Sequence, residues 1–250
     1  MKAPRGQNFL QQASWLQRVA EAVGPAEALL EIGGGPGGLS DFLAAQAKRF
    51  WVVESDARLA AGLRARFPGT LESDVLEVDL TALAQREGVA QWRVAGNLPY
   101  YITSPILLHL FRHAARISDA TLMVQREVGE RLVAEPGTRA YGLLSATTQF
   151  YARPRRLFNL PPGAFRPAPK VHSSLLRLEF APRAADLGVD AAEFMAFLRR
   201  AFAHKRKQLA SYLGDPARAG LDPRARAEEL GLQELAALMR TVKASARTDA

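Results

Sequence analysis

The chain has no cysteine in 250 residues. Disulfides and thiolate-ligated metal sites are therefore excluded, as a reducing cytosol would favour. Histidine is scarce at four residues. His109 and His113 are four apart, but no glutamate between them and no third ligand complete a metal-binding pattern, so no metal site is expected. Nor is there an uninterrupted apolar run of about 18 residues, which argues against a transmembrane helix. The start, Met1-Lys2-Ala3-Pro4-Arg5-Gly6-Gln7, has no apolar segment behind its charges, so no signal peptide is expected. Carboxylates are outnumbered: 33 Lys and Arg against 25 Asp and Glu give a net charge of +8 and a pI near 10.2. That balance favours a polyanionic partner, nucleic acid before anionic membrane. The excess is spread out: residues 183–250 hold 12 basic and 9 acidic residues, and the other 182 hold 21 and 16.

What is present is alternation. Short apolar runs at Ala28–Ile32, Phe50–Glu54, Thr70–Ser73, Trp92–Ala95 and Thr121–Val124 read as strands. Helical spacing lies between several of them, at Gly38–Gln46, Arg58–Arg66 and Ile106–His113. This order predicts a parallel sheet covered on both faces. Arg155–Leu160 and Ser174–Phe180 are two further strands, expected as an antiparallel hairpin at the sheet edge. Ala181–Asp190 reads as a linker. Beyond it only helical patterns occur, clearest at Ala191–Tyr212 and Gln233–Val242, with a shorter one at Pro223–Leu230 capped by Asp222. The expected division is 1–182 for an α/β domain and 183–250 for a small all-helical domain.

The chemistry concentrates at strand ends. Gly33-Gly34-Gly35-Pro36-Gly37-Gly38 follows the first strand and opens a helix, the form of a nucleotide-cofactor loop. Glu54, 21 residues after Gly33, ends the second strand, where a carboxylate can accept both hydroxyls of a ribose. An NAD-dependent dehydrogenase fits these two features. Three others tilt toward S-adenosylmethionine. Pro36 lies where a dinucleotide loop needs backbone N–H groups. Asp74 follows the third strand, placed to take an adenine amine. Asn97-Leu98-Pro99-Tyr100 ends the fourth, where a methyl acceptor would meet a sulfonium. The Asn97 amide oxygen and the Leu98 carbonyl can accept both N–H bonds of an aromatic amine. Pro99 holds Leu98 extended, and Tyr100 can stack on the base.

With these residues in place the sequence resembles the rRNA adenine N6-dimethyltransferases, most of all their bacterial small-subunit branch. The resemblance runs from Gly6 to at least Leu213. It rests on Gly6-Gln7-Asn8-Phe9-Leu10, on Glu31–Ser40, on Glu54, Asp74 and Asn97–Tyr100, on Gln125–Val128 with Tyr141–Ser145, on Pro161–Pro167, and on Ala201-Phe202 with Lys205-Arg206-Lys207. Leu98 and Pro105 set it apart from the large-subunit, macrolide-resistance branch. It departs from the family pattern at Gln11 and Gln12, where an acid is common. The resemblance implies a Rossmann-like class I S-adenosylmethionine-dependent methyltransferase with a seven-stranded, mostly parallel sheet. It implies a cofactor site of Gln7, Asn8, Leu10, Gly33, Gly35, Glu54, Asp74 and Asn97, and a catalytic set of Asn97, Leu98, Pro99, Tyr100 and Phe165, the last as a second aromatic on the base. Arg199, Arg200, Lys205, Arg206 and Lys207, expected on one helix, would contact RNA phosphates. Arg153, Arg155 and Arg156 form a second candidate patch. The implied reaction dimethylates two adjacent adenines in the 3′-terminal hairpin loop of 16S rRNA, in the immature 30S subunit, by a cytoplasmic monomer. A 23S rRNA methyltransferase and a non-catalytic ribosome-assembly or transcription factor are the alternatives.

Overall fold

The computed structural model describes residues 8–204 and 206–248, the side chains of 246–248 excepted. Gln7 and Lys205 lie outside the described residues. The chain divides into two compact units, residues 1–129 with 153–180, and residues 130–152 with 181–250.

In the first unit, β2 (Ala26–Ile32), β3 (Ala47–Glu54), β4 (Thr70–Glu72), β5 (Trp92–Asn97) and β6 (Ile117–Gln125) pair in parallel, and β9 (Ser173–Phe180) pairs antiparallel to β6. With β7 (Ala152–Leu160) the seven-stranded order is β4-β3-β2-β5-β6-β9-β7. Each central strand is apolar on both sides because helices cover both faces: Leu29, Leu30 and Ile32 of β2 are all buried. The helices are α1 (Ala13–Val23), α2 (Gly38–Ala44), α3 (Ala57–Arg64), α4 (Leu80–Glu87) and α5 (Thr103–Arg112). Asp56 and Asp79 cap α3 and α4 by accepting backbone N–H bonds, which ends the preceding loop at a fixed residue. The order 3-2-5 reverses direction beside β2, and ligands bind such sheets at that reversal, beyond the carboxyl ends of the strands. The glycine loop, Glu54, Asp74 and Asn97 all stand at those ends.

A two-stranded pair, β1 (Phe9–Leu10) with β8 (Phe165–Arg166), carries the N-terminal segment. Gln11 N donates to the Ala164 carbonyl at 3.0 Å and Gln12 Nε2 to Gly163 at 3.3 Å. The Gln11 backbone and the Gln12 side chain thus tie residues 11 and 12 to Gly163 and Ala164. His109 lies in α5 and His113 just past its end: Nε2 of the first bonds to the Val78 carbonyl and Nδ1 of the second to Thr81 Oγ1, both at 3.0 Å.

The second unit is helical: α7 (Leu143–Tyr151), α8 (Ala184–Leu187), α9 (Ala191–Ala201) and α10 (Leu232–Thr248), with α6 (Arg126–Leu132) running into it. Here the structure departs from the expected boundary. Tyr141, Ala146 and Phe150 pack into one core with Phe194, Leu198 and Leu235, so residues 130–152 belong with the C-terminal helices. The helix expected over Ala191–Tyr212 stops at Ala201. Leu209 is buried and Tyr212 Oη donates to the Ala201 carbonyl, so the chain must turn back at that point. The helix expected over Pro223–Leu230 is reduced to one 3-10 turn, Ala227–Glu229. Among the described residues no helix is long and apolar enough to cross a membrane.

Candidate functional site

Asn97 sits at the end of β5, half-buried. Its Nδ2 donates to the Asn8 carbonyl at 2.7 Å, which fixes the amide's orientation and leaves Oδ1 with no partner among the described residues. Leu98 is buried and its N–H donates to the Met123 carbonyl at 3.0 Å. The Leu98 carbonyl has no partner among the described residues, whereas the next carbonyl, of Pro99, accepts from Ile102 N and Thr103 Oγ1. Two open acceptors therefore stand on consecutive residues. Tyr100 follows, its Oη 2.6 Å from Ser173 Oγ. Burial pushes its phenol pKa up, against the opposing pull of that hydrogen bond, so the ring is neutral at pH 7.

These residues line an open pocket with Asn8, Phe9, Gly33, Gly35, Glu54, Asp74, Pro99 and Tyr101. Glu54 is only 3% exposed. Its Oε2 accepts from Gly35 N and its Oε1 from Asp56 N, each at 2.9 Å. Each oxygen keeps a second acceptor site, so the carboxylate is locked in place and still able to receive two hydroxyls. Asp74 Oδ1 accepts from Leu76 N at 2.9 Å, fixing this acid at the end of β4. Gly35 has φ +55°, and a Cβ there would meet the Phe9 ring at 2.8 Å. The loop thus needs glycine both for its turn and for the ring that covers it. Arg66 holds its far side, donating to the carbonyls of Pro36 at 3.3 Å and Gly37 at 3.1 Å. Ile32, Val53, Val75 and Ile106 give the pocket apolar walls.

Most of the residues expected from sequence therefore converge. Leu10 is buried and lines a smaller recess with Glu31, Gly33, Pro36 and Asn97. Phe165 does not reach the pocket. It is 4% exposed, paired to Leu10 across β1 and β8, and packed with Leu16 and Leu160 in the core. Arg199 and Arg200 end α9, but Arg206 and Lys207 lie past its end, Arg206 at φ +67°, so the basic cluster is not one helix face. Phe9, Val75 and Tyr101 were not singled out from sequence. A cue existed for Val75, the apolar residue directly after Asp74.

Glu31 is the other feature missed. Burial raises its pKa to about 7, helped by Glu54 and Asp41 and opposed by Ser40 and Arg66, and Oε2 has no hydrogen-bond partner among the described residues. A carboxyl raised from 4.5 stabilises the fold in its protonated form. That stabilisation is complete below pH 4.5 and is lost as pH rises through about 7. Glu31→Gln removes this slope, and above pH 7 the ligand-free variant is the more stable by on the order of 3 kcal/mol. Urea melts from pH 4.5 to 8 measure it; identical slopes in both proteins would contradict it.

The chain as a whole is similar to known proteins. Residues 1–222 match the family model described as ribosomal RNA adenine dimethylase. The ribosomal RNA small subunit methyltransferase A of Acidobacterium capsulatum is 47% identical, across 97% of this chain and 91% of its own length. The protein of the same name from Koribacter versatilis is 46% identical, across 95% and 93%. The crystal structure of a dimethyladenosine transferase from Plasmodium falciparum superposes with a TM-score of 0.78 at 20% identity, covering 95% of this chain and 98% of that one, which shows the shared fold. The chain belongs to the ribosomal RNA adenine dimethylase family.

Proposed function

We propose that this enzyme transfers methyl groups from S-adenosylmethionine to N6 of adenine in small-subunit rRNA. Its targets are two adjacent adenines in the 3′-terminal hairpin loop of 16S rRNA, each dimethylated, in the immature 30S subunit. It works as a cytoplasmic monomer. The observation that carries this reading is the pair of unpartnered acceptors, Asn97 Oδ1 and the Leu98 carbonyl, beside a pocket lined by Glu54 and Asp74.

The donor set fits the cofactor. Glu54 is suited to the ribose hydroxyls, Asp74 to the adenine amine, and the orphaned Glu31 oxygen beside the glycine loop to a cationic amine. When bound, S-adenosylmethionine supplies an electrophilic methyl on a sulfonium. The target N6 is a weak nucleophile because its lone pair is delocalised into the ring. Asn97 and Leu98 accept its two N–H bonds, favour a tetrahedral nitrogen and aim the lone pair at the methyl carbon. The methyl would pass to N6, and the proton that N6 gives up would leave for solvent. The residues work by positioning and electrostatics, with no strong base required. Tyr100 stacks on the base and offsets part of the cost of unstacking it.

Residues 136–178 contain no Asp or Glu and seven Arg or Lys. Arg153, Arg155, Arg156, Arg166 and Lys170 of this stretch are exposed and have no carboxylate partner among the described residues. They supplement Arg199, Arg200, Arg206 and Lys207 as phosphate contacts. Replacing Arg153, Arg155 and Arg156 together by Gln is expected to flatten the plot of log K against log salt for 30S binding by about 2, at roughly 0.7–0.9 per phosphate lost. Charges that only keep the β7 edge from pairing with other chains would leave the slope unchanged.

The reaction itself is tested by transfer of a tritiated methyl group to separate 30S and 50S particles from an undermethylated strain. Label in 30S RNA is expected. Label confined to 50S favours the large-subunit alternative, and label in neither favours a non-catalytic RNA-binding factor.

A further inference from the structure

We infer that Tyr101 is a stacking platform for the nucleobase next to the target adenine, a subsite apart from the one Tyr100 serves. This rests on the rRNA-adenine reading of the pocket. Tyr101 lines the pocket, yet it is 60% exposed, and its ring and hydroxyl have no partner among the described residues. Tyr100 differs in both respects: it is half-buried, and its hydroxyl is held by the fully buried Ser173.

The two rings cannot clamp one base. Tyr100–Ile102 forms a 3-10 turn. At three residues per turn, successive side chains point about 120° apart. Tyr100 faces the target site, so Tyr101 faces outward at its mouth. Nor does Phe165 complete a clamp, because its ring lies in the core. Adjacent Cα atoms are about 3.8 Å apart, and diverging side chains carry the rings further. Stacked nucleotides of one strand are about 3.4 Å apart and splay wider when a base is extruded. One ring per nucleotide therefore matches two consecutive bases. Every base offers a π face, so the outer platform adds affinity without selecting sequence.

The test uses the whole enzyme with Tyr101→Leu and Tyr101→Phe. The probe is the 16S 3′-hairpin RNA carrying 2-aminopurine at each position flanking the target. Tyr101→Leu is expected to weaken RNA binding about tenfold, within the range measured for base–aromatic stacking. It should raise KM for RNA with kcat held within about twofold, and abolish the quenching seen at one flanking position. Tyr101→Phe should restore all three. Wild-type quenching and RNA affinity in Tyr101→Leu would overturn the subsite. So would failure of Tyr101→Phe to rescue, since a hydroxyl contact would then be at work. If the wild-type enzyme binds cofactor but methylates no adenine, the underlying reading falls and the subsite with it.

Discussion

Asn97→Ala is expected to lower the single-turnover rate of methyl transfer by about 10²–10³, the cost typical of removing one preorganised hydrogen-bonding group from a site where charge develops. The loss belongs to the rate. With Oδ1 gone, only the Leu98 carbonyl can hold the target amine, and the lone pair is no longer aimed. Cofactor affinity should fall only a few-fold, through the lost Nδ2 bond to the Asn8 carbonyl that steadies the N-terminal strand. Asn97→Asp separates the two contributions. It keeps an acceptor but sets an oxygen against the Asn8 carbonyl, so it should retain more rate than Ala while still loosening the strand. Rapid-quench transfer with labelled cofactor measures the first quantity and calorimetric titration the second. An Asn97→Ala enzyme within threefold of wild type would remove Asn97 from the chemistry.

Glu54→Gln should show the opposite division. Both carboxylate oxygens accept backbone N–H groups, from the buried Gly35 and the partly buried Asp56. A glutamine has one acceptor oxygen, so its NH2 must face one of those donors. It also offers ribose hydroxyls no charge. Hydrogen bonds to charged groups contribute about 1.5–3 kcal/mol each, so the Kd for S-adenosylmethionine should rise by about 10²-fold. At saturating cofactor the turnover should stay within a few-fold of wild type, because in the proposed complex Glu54 would hold the ribose and not the reacting atoms. An unchanged Kd in calorimetry would show that Glu54 only braces the glycine loop.

Much of this site was legible from sequence, and for a local reason. Gly33–Gly38, Glu54, Asp74 and Asn97–Tyr100 each sit at a strand end, and a parallel sheet gathers its strand ends whatever the details of packing. What failed depended on contacts far apart in the chain. Phe165 looks free in a proline-rich loop, but pairing with Leu10 pulls it into the core. The apolar spacing of Phe194, Leu198, Leu209 and Tyr212 reads as one long helix, because periodicity does not record that Leu209 returns to the same core after a turn. Residues 130–152 precede β7, β8 and β9, strands of the first unit, so nothing in their order says that Tyr141 and Phe150 pack with Phe194 and Leu235. Glu31 was visible only as part of the glycine motif. Its charge balance follows from complete burial, which a single acid in an apolar strand does not announce. Tyr101 was hidden by its neighbour, since two adjacent tyrosines look alike until one is seen bonded to Ser173 and the other exposed.

The most direct measurement is chemical. Wild-type enzyme is incubated with labelled S-adenosylmethionine and undermethylated 30S particles, the 16S rRNA is digested to nucleosides, and these are separated and identified by mass. Label is expected in N6,N6-dimethyladenosine, from two adjacent positions of the 3′-terminal hairpin, and is expected to vanish with Asn97→Ala. Label in any other nucleoside, or equal labelling by wild type and Asn97→Ala, would contradict the assignment of Asn97 and Leu98 as the groups that present adenine N6 to the methyl donor.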